Sequence, residues 1–569
     1  MNWQMIEKGR VVFYFAFGRR FVEIGVVFRA SLTIVFLALA WPQLSFGVPS
    51  FAKAATNGMV NIPLLTEASG IAASRNNPGV LWTHNDSGNP AVVYALDSQG
   101  RNLGTYALPG NNDNEDIGIG PGPVPNVAYL YVADFGDNNV NRANIHIYQI
   151  PEPAVYAWQT NSPVANRAMK GARTITLTYP DGAHDAEAEF VDPVTGDWFV
   201  LTKTNPSSIY MAPKAMLDGA NPIGLTFVRT LAFKKPNGAD ISPLGNEIIV
   251  RQEDFAQVFT RTNGQSISSV FSEPSNGIPV VGIPGGEPNG EAIGFDYYGS
   301  GYFTVSDSIT NGVQPLRYFP RTSFDGPTPP RTLVPLAASW KYLDNGSDQG
   351  AAWRDPGFDD SSWSSGPAQF GYGDGDEQTT NSFGIFSNNK YITTYFRKTF
   401  VATNVNRIAS ATLKLVVDDG ANVFLNGAAM ANVNLNPGAA YNTLATAMPA
   451  ALRDTWQSFT VDPKILREGT NTLAVEVHLA AATSTSLSFD LQLIATEAPV
   501  VTAITRLTNQ AKLFLTGSSN APTTIRATTN FLSWLNLGSV ILTNGSGTFS
   551  DSAAANFTFR FYQAFRAIP

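Results

Sequence analysis

The chain has 569 residues, too many for a single hydrophobic core, so several domains are expected. Only 14% of residues are charged, while aromatics reach 11% and Gly and Pro number 49 and 37, the profile of a strand-rich and turn-rich chain. A formal net charge of -8 without a basic stripe excludes a phosphate-backbone binder, so no nucleic-acid partner is expected. The absence of cysteine excludes disulfides, thiol redox chemistry and thiolate metal sites.

Residues 1–54 read as a secretory signal with a long basic leader. Lys8, Arg10, Arg19, Arg20 and Arg29 precede or interrupt apolar sequence, SLTIVFLALAW follows, and Ala52-Lys53-Ala54 offers a small-x-small cleavage site. The alternative is an uncleaved anchor, since residues 11–28 are also rather apolar. The uninterrupted apolar run is shorter than the roughly 20 residues that span a bilayer. The expectation is therefore a bacterial protein, secreted or held at the cell surface, with no integral span after cleavage.

Residues 55–321 contain five copies of one pattern. In each, an acidic residue opens a short strand and a second strand ending in polar groups follows. The copies read TEASGIAAS to LWTHND, NEDIGIG to LYVADFG, DAEAEFVD to WFVLTK, GADISPL to EIIVRQE, and GEAIGFD to YFTVSD. Their acids, Glu67, Glu115, Glu187, Asp240 and Glu291, are spaced by 48, 72, 53 and 51 residues. A period near fifty residues with four short strands per unit is the signature of a β-propeller blade. Five blades are counted, and the 72-residue interval leaves six open. The last blade lacks a strand that MVNIPLL, at the start of the domain, is placed to supply.

Equivalent blade positions fall around one axis, so the five acids are expected to form a ring near the central channel. Their repulsion must be relieved by a cation, by protonation or by basic neighbours. The bland alternative is that each acid pins a turn within its own blade. Asn85 with Asp86, Asp134, Lys203, Arg251 with Glu253, and Asp307 end the second strands and are expected on the same rim. His84 and His184 are the candidate general bases there. No GxSxG elbow or HExxH motif is present, which argues against a serine hydrolase or a zinc protease.

The repeated segment resembles phytase-like and lactonase-like propellers, and that resemblance implies calcium at the ring. The metal candidates are Glu67, Glu115, Glu187, Asp240 and Glu291. The catalytic candidates, if the domain is a hydrolase, are Glu187, His84, His184, Lys203 and Arg251.

Residues 322–334 are rich in Pro and read as a linker. Residues 335–496 follow with AAWRDPGFDDSSWSSGPAQFGYGDGDE, YITTYFRKTF, VVDDGANVFLNG, REGTNTLAVEVH and SLSFDLQL. In that order these segments resemble the galactose-binding-like jelly-roll sandwich of carbohydrate-binding modules. The resemblance implies glycan recognition. Trp340, Trp353 and Tyr372 are the candidate stacking surface, with Asp418, Asp419 and Asn426 as polar contacts. Trp363 of the FDDSSW box is expected in the core, and Asp-Gly and Asn-Gly in the VVDDGANVFLNG hairpin are also plain turn formers. Residues 497–569, carrying LFLTGSSNAPTTIRATTNFLSWLNLGSV and NFTFRFYQAF, resemble small immunoglobulin- or fibronectin-like terminal sandwiches.

The expected architecture is all-β: propeller, jelly-roll sandwich, small terminal sandwich. The leading functional expectation is an exported binding protein whose sandwich recognises glycan and whose propeller binds a ligand or serves as scaffold. The alternatives are a calcium-dependent propeller hydrolase acting on a phosphoester, lactone or glycan, and a non-catalytic adhesion or spacer protein.

Overall fold

In the computed structural model the residues described are 3–7, 10–14 and most of 49–565. Outside the description lie 1–2, 8–9, 15–48, 220, 263, 281–286, 288, 307–311, 323–329, 498–499, 508, 517–521, 530–532, 543–545, 558–559 and 566–569. The apolar part of the leader, Asp307 and most of the Pro-rich linker therefore fall outside the described residues. Trp3–Glu7 and Arg10–Tyr14 pair as an antiparallel hairpin. Among the described residues no helix is long and apolar enough to cross a membrane.

The chain divides into two compact units, and the larger one holds residues 49–323 together with 327–497. Its first part consists of five sheets, each begun by one buried strand: Ala68–Ala73, Asn114–Pro121, Ala186–Val191, Gly238–Ile241 and Ala292–Phe295. These inner strands neighbour one another in sequence order, and the last packs against the first, so the five sheets close a ring. In the fifth sheet, Ala55–Asn61 pairs with Val313–Pro320 and fills the vacant position with chain from the start of the domain. The long interval between the second and third acids holds no sixth sheet. It contains Val164–Ala168, which crosses over to pair in parallel with Asn102–Ala107 of the first sheet.

The second part of this unit is two six-stranded layers. One contains Phe370–Tyr372, Leu487–Glu497, Ile408–Asp418 and Gln457–Val461; the other contains Ser339–Leu343, Thr393–Ala402, Gly469–His478 and Gly420–Leu425. Alternate residues of the two layers meet in an apolar centre that includes Trp340, Phe370, Phe396, Leu415 and Phe489. The sandwich begins earlier than the sequence suggests. Arg331–Val334, expected as linker, is a strand paired with Leu493–Ala495.

The sandwich is seated on one end of the ring, where the loops that follow the inner strands gather. Lys414 Nζ donates to the Arg75 carbonyl at 3.1 Å and to Tyr297 Oη at 2.9 Å. Trp456 Nε1 donates to Asn77 Oδ1 at 2.9 Å, and Ser458 N to the Asn126 carbonyl at 3.0 Å. Arg167 bridges Asp376 and Asp454. Apolar packing is continuous across this contact, so ring and sandwich share a core.

The smaller unit includes residues 498–569. The described strands of residues 498–569 form two three-stranded antiparallel sheets around Leu513, Leu515, Ile525 and Tyr562, and the same unit holds the hairpin Trp3–Glu7 with Arg10–Tyr14.

Candidate functional site

The end of the ring opposite the sandwich is the end at which the inner strands begin. Three of these strands carry a bulge near their start, at Ser69, Glu115 and Glu187. A bulge gives the extra residue no cross-strand partner and re-aims its side chain. These three positions are equivalent, which corrects the alignment made on sequence. The first copy contributes Ser69 to the ring, and Glu67, two residues earlier, is exposed and accepts a 2.6 Å bond from Asn89. Ser69 Oγ lies 3.3 Å from Glu115 Oε2 and 3.2 Å from Glu291 Oε2. Ser69, Glu115 and Glu291 therefore converge.

Asp240 is not in this layer. It is buried deeper along the fourth inner strand, where Oδ1 accepts from Ile241 N and Oδ2 from Phe295 N, both at 2.8 Å. Asp116 does the same work one strand pair away, accepting from Ile117 N, Glu189 N and Ala239 N at 2.9, 2.9 and 3.2 Å. Glu189 accepts from Gly118 N at 2.9 Å and from the Trp198 indole. These three carboxylates tie adjacent inner strands together. Asp240 thus neither joins the mouth acids nor pins a turn within its own sheet; it links the fourth inner strand to the fifth. Burial raises all three, Asp240 to about 6.

At the mouth, Asp86, Asp113 and Glu115 present carboxylate oxygens that all lie within 4.8 Å of one another. In the first two sheets the loop before the inner strand is positioned by the polar residue that ends the second strand. Asn85 Oδ1 accepts from Thr66 N and Glu67 N, both at 3.0 Å, and Asp134 accepts from Asn112 N and Asp113 N at 3.3 and 3.1 Å. Asp134 is in turn held by Arg142 at 2.8 Å and Tyr148 Oη at 2.8 Å. Gly136 closes the site from the side. A Cβ there would collide with Glu115 Oε1 and Asp113 Oδ2, so only glycine leaves room for both carboxylates.

Glu115 is 4% exposed. Its pKa is raised well above the ordinary value, first by burial and then by the charges of Asp86, Asp113 and Glu291. Asp113 is raised for the same first reason. Neither these two nor Asp86 has an ion-pair partner among the described residues. Glu187 is different: Lys203 Nζ pairs with its Oε1, while its buried Oε2 has no hydrogen-bond partner. Hard cations take six to eight oxygens, and the clustered carboxylates with the Ser69 hydroxyl beside them offer part of such a donor set. The residues present fit a cation of the calcium class.

The other rim candidates are placed elsewhere. Arg251 is fully buried, its Nη2 2.8 Å from Glu287 Oε2. His84 is sealed inside the first sheet, its Nδ1 3.0 Å from the Asn85 carbonyl, and burial lowers its pKa. His184 Nε2 lies 3.0 Å from both Asp181 Oδ1 and Tyr210 Oη, outside the acid cluster. Asp86 and Asp113 were missed as metal candidates because they sit in loops outside the repeated strand. Their signal was the Asp-rich GNNDNED loop and the WTHND strand end.

In the sandwich, the proposed stacking aromatics are core residues. Trp340 is 1% exposed, Trp353 0% and Tyr372 7%. Trp340 and Tyr372 point between the layers because alternate residues of each strand must fill that space, while Trp353, in a short 3-10 turn, is buried in a separate cluster with Trp363, Tyr395 and Phe424; none of the three presents a face to a sugar. Asp418 accepts from Ser486 Oγ at 2.6 Å, and Asp419 accepts from Met448 N, Ala480 N and Ser484 Oγ at 3.1, 2.8 and 3.2 Å. Asn426, with φ of 54°, caps its turn through Thr472 N at 3.0 Å and Asn471 Oδ1 at 2.9 Å. All three polar candidates therefore organise loops. Trp363 packs edge-on against Phe358, as expected of a core residue.

No family model matches the chain, and no curated protein matches it. Solved structures similar to part of it include a calcium-binding mutant of Bacteroides uniformis β-glucuronidase 2, at 18% identity and TM-score 0.20 over 38% of this chain and 27% of that one. A β-glycosidase from Bacteroides vulgatus matches at 14% identity and TM-score 0.19 over 42% and 29%. A β-glucuronidase from Ruminococcus gnavus matches at 12% identity and TM-score 0.20 over 40% and 39%. The chain thus spans well under half the length of each of these proteins. At TM-scores near 0.20 these likenesses carry no functional argument.

Proposed function

We propose that this chain is an exported modular binding protein whose five-sheet ring, a β-propeller, holds calcium at its free mouth and uses it to bind an oxygen-rich ligand, with glycan as the ligand class. The observation that carries the reading is the convergence of Asp86, Asp113 and Glu115 within 4.8 Å, without an ion pair and beside the bulge residue Ser69. Vicinal hydroxyls of a sugar are suited to complete the coordination of a hard cation whose remaining ligands are carboxylates. The sandwich covers the other end of the ring, which supports ligand entry from the mouth. The reading is one of binding, because neither histidine first considered as a general base reaches the cluster.

The test is a calcium titration of the full chain followed by thermal melting, with Glu115→Gln as the control. Stabilisation should follow mass action, about 2.7 kcal/mol when free ion is one hundred times its dissociation constant. Magnesium should substitute poorly, because it demands a tight octahedron. A melting temperature that ignores both calcium and chelator defeats the reading.

A further inference from the structure

Glu187 holds the third of the equivalent bulge positions, after Ser69 and Glu115, and the inner strands that carry Glu115 and Glu187 pack side by side. Its charge is nevertheless kept apart from the acid cluster. Lys203 Nζ pairs with Glu187 Oε1, whereas Asp86, Asp113 and Glu115 have no such partner among the described residues. Glu187 is 4% exposed, and its Oε2 is buried without a hydrogen bond. A buried carboxylate oxygen without a donor is costly, and a cation is one group that can satisfy it.

Lys203 follows the second strand of the third sheet, Trp198–Thr202, and its backbone is fixed at the mouth. Its N donates to the Asp185 carbonyl at 2.8 Å, and Asp185 Oδ1 accepts from Asp137 N at 2.9 Å. Gly136, next to Asp137 in the chain, lies against the carboxylates of both Glu115 and Asp113. The ammonium therefore hangs from the same stitched loops that enclose the cluster. Its charge also reaches Glu115, where it opposes the rise in pKa that burial and the neighbouring acids impose.

We infer that Lys203 is a tethered cation that sets the affinity of the mouth for calcium, by holding a fourth carboxylate, Glu187, out of the ligand set and by weakening the negative potential that draws a divalent ion. The inference rests on the reading of the mouth as a calcium site. Repulsion between the ammonium and a bound cation scales with the product of their charges, so a divalent ion feels it twice as strongly as a monovalent one.

The experiment is isothermal titration of the full chain with calcium chloride at pH 8 and constant ionic strength, on wild type, Lys203→Met, Lys203→Arg, Glu187→Gln and the double variant Lys203→Met/Glu187→Gln. Lys203→Met should bind calcium about tenfold more tightly than wild type, the scale of a unit charge acting on a divalent ion across a partly hydrated mouth. Lys203→Arg keeps the charge and should bind like wild type. Glu187→Gln leaves the ammonium without its counter-charge and should bind about tenfold more weakly. The double variant has lost both charges and should return towards wild type; it leaves no unpaired buried charge, so it guards against a single variant that fails to fold. A pair that serves only the fold shifts melting temperatures measured in chelator and leaves the calcium dissociation constants unchanged, and that result, or weaker binding in Lys203→Met, overturns the inference while the calcium reading stands. Calcium binding absent from wild type and from every variant overturns both.

Discussion

Ser69 and Glu115 occupy the same bulge position on neighbouring inner strands, and the serine hydroxyl lies 3.3 Å from Glu115 Oε2 and 3.2 Å from Glu291 Oε2. A hydroxyl carries one proton and can donate to only one of those oxygens at a time. The second contact is favourable if a carboxyl is protonated or a cation sits nearby. The raised pKa of buried Glu115 fits the first case in the absence of metal.

The affinity for calcium should therefore rise with pH. Glu115 and Asp113 both hold their protons above the ordinary carboxylate range, and a cation must displace them. Calorimetry in two buffers of different ionisation heat should show proton release on binding, and the release should shrink as pH rises. Glu115→Gln should remove much of it. Proton release that is nil in the mildly acid range contradicts this site.

Removing a mouth carboxylate should stabilise the metal-free protein. Asp113→Asn or Glu115→Gln relieves like-charge repulsion and the burial of an uncompensated charge, and about 1 kcal/mol of gain at neutral pH is expected. The same variants should lose the calcium response. Urea melts in chelator and in calcium measure both effects, and a variant that is less stable in chelator would show that the carboxylate serves the fold.

The deeper acids should behave in the opposite way. Asp116→Ala strands the backbone donors of Ile117, Glu189 and Ala239, so a loss of about 3 kcal/mol or more is expected, with the calcium response retained in whatever fraction folds. Asp240 also sets a pH slope. Its folded pKa of about 6 lies above its unfolded value, so the native state holds a proton that the unfolded chain has released. Stability from this group is greatest below about pH 4 and falls by about 3 kcal/mol as pH rises to about 6. Denaturant melts of wild type against Asp240→Asn isolate that slope.

The five-sheet ring was legible in the sequence because each inner strand is a short apolar run next to polar punctuation, and because the period repeats. The ring site was legible only in part. Glu115 and Glu291 meet around Ser69, but spacing alone cannot see a bulge, and a two-residue offset puts Glu67 where Ser69 stands. Asp240 was confused with a mouth residue because acids at the start and in the middle of a four-residue strand look alike. Trp340 and Trp353 were misplaced for a different reason. Aromatic residues suit a sugar face and a core equally well; alternation with the facing layer decides for Trp340, while Trp353 lies off the strands and is buried by Trp363, Tyr395 and Phe424. Seating of the sandwich on the ring was invisible, since it joins Lys414 to Arg75 across 339 residues.

That contact supplies the last prediction. Lys414 is 6% exposed, and burial lowers its pKa to about 8, with Glu152 opposing the shift. Around it are Arg75, whose carbonyl it bonds, Tyr297, and the buried Glu152. Because the folded pKa lies below the unfolded one, the unfolded chain binds more protons between about pH 8 and pH 10.5. The contribution of Lys414 to stability therefore rises across that window, by about 3 kcal/mol in total. Lys414→Met should fill the same space without a charge and remove the slope, while stability at pH 7 stays equal or improves. Tyrosines and other lysines titrate in the same range, so the quantity to measure is the difference between wild type and variant at each pH. A difference that stays constant from pH 7 to pH 10 would mean that Lys414 is solvated, and that the seam between ring and sandwich is looser than its hydrogen bonds indicate.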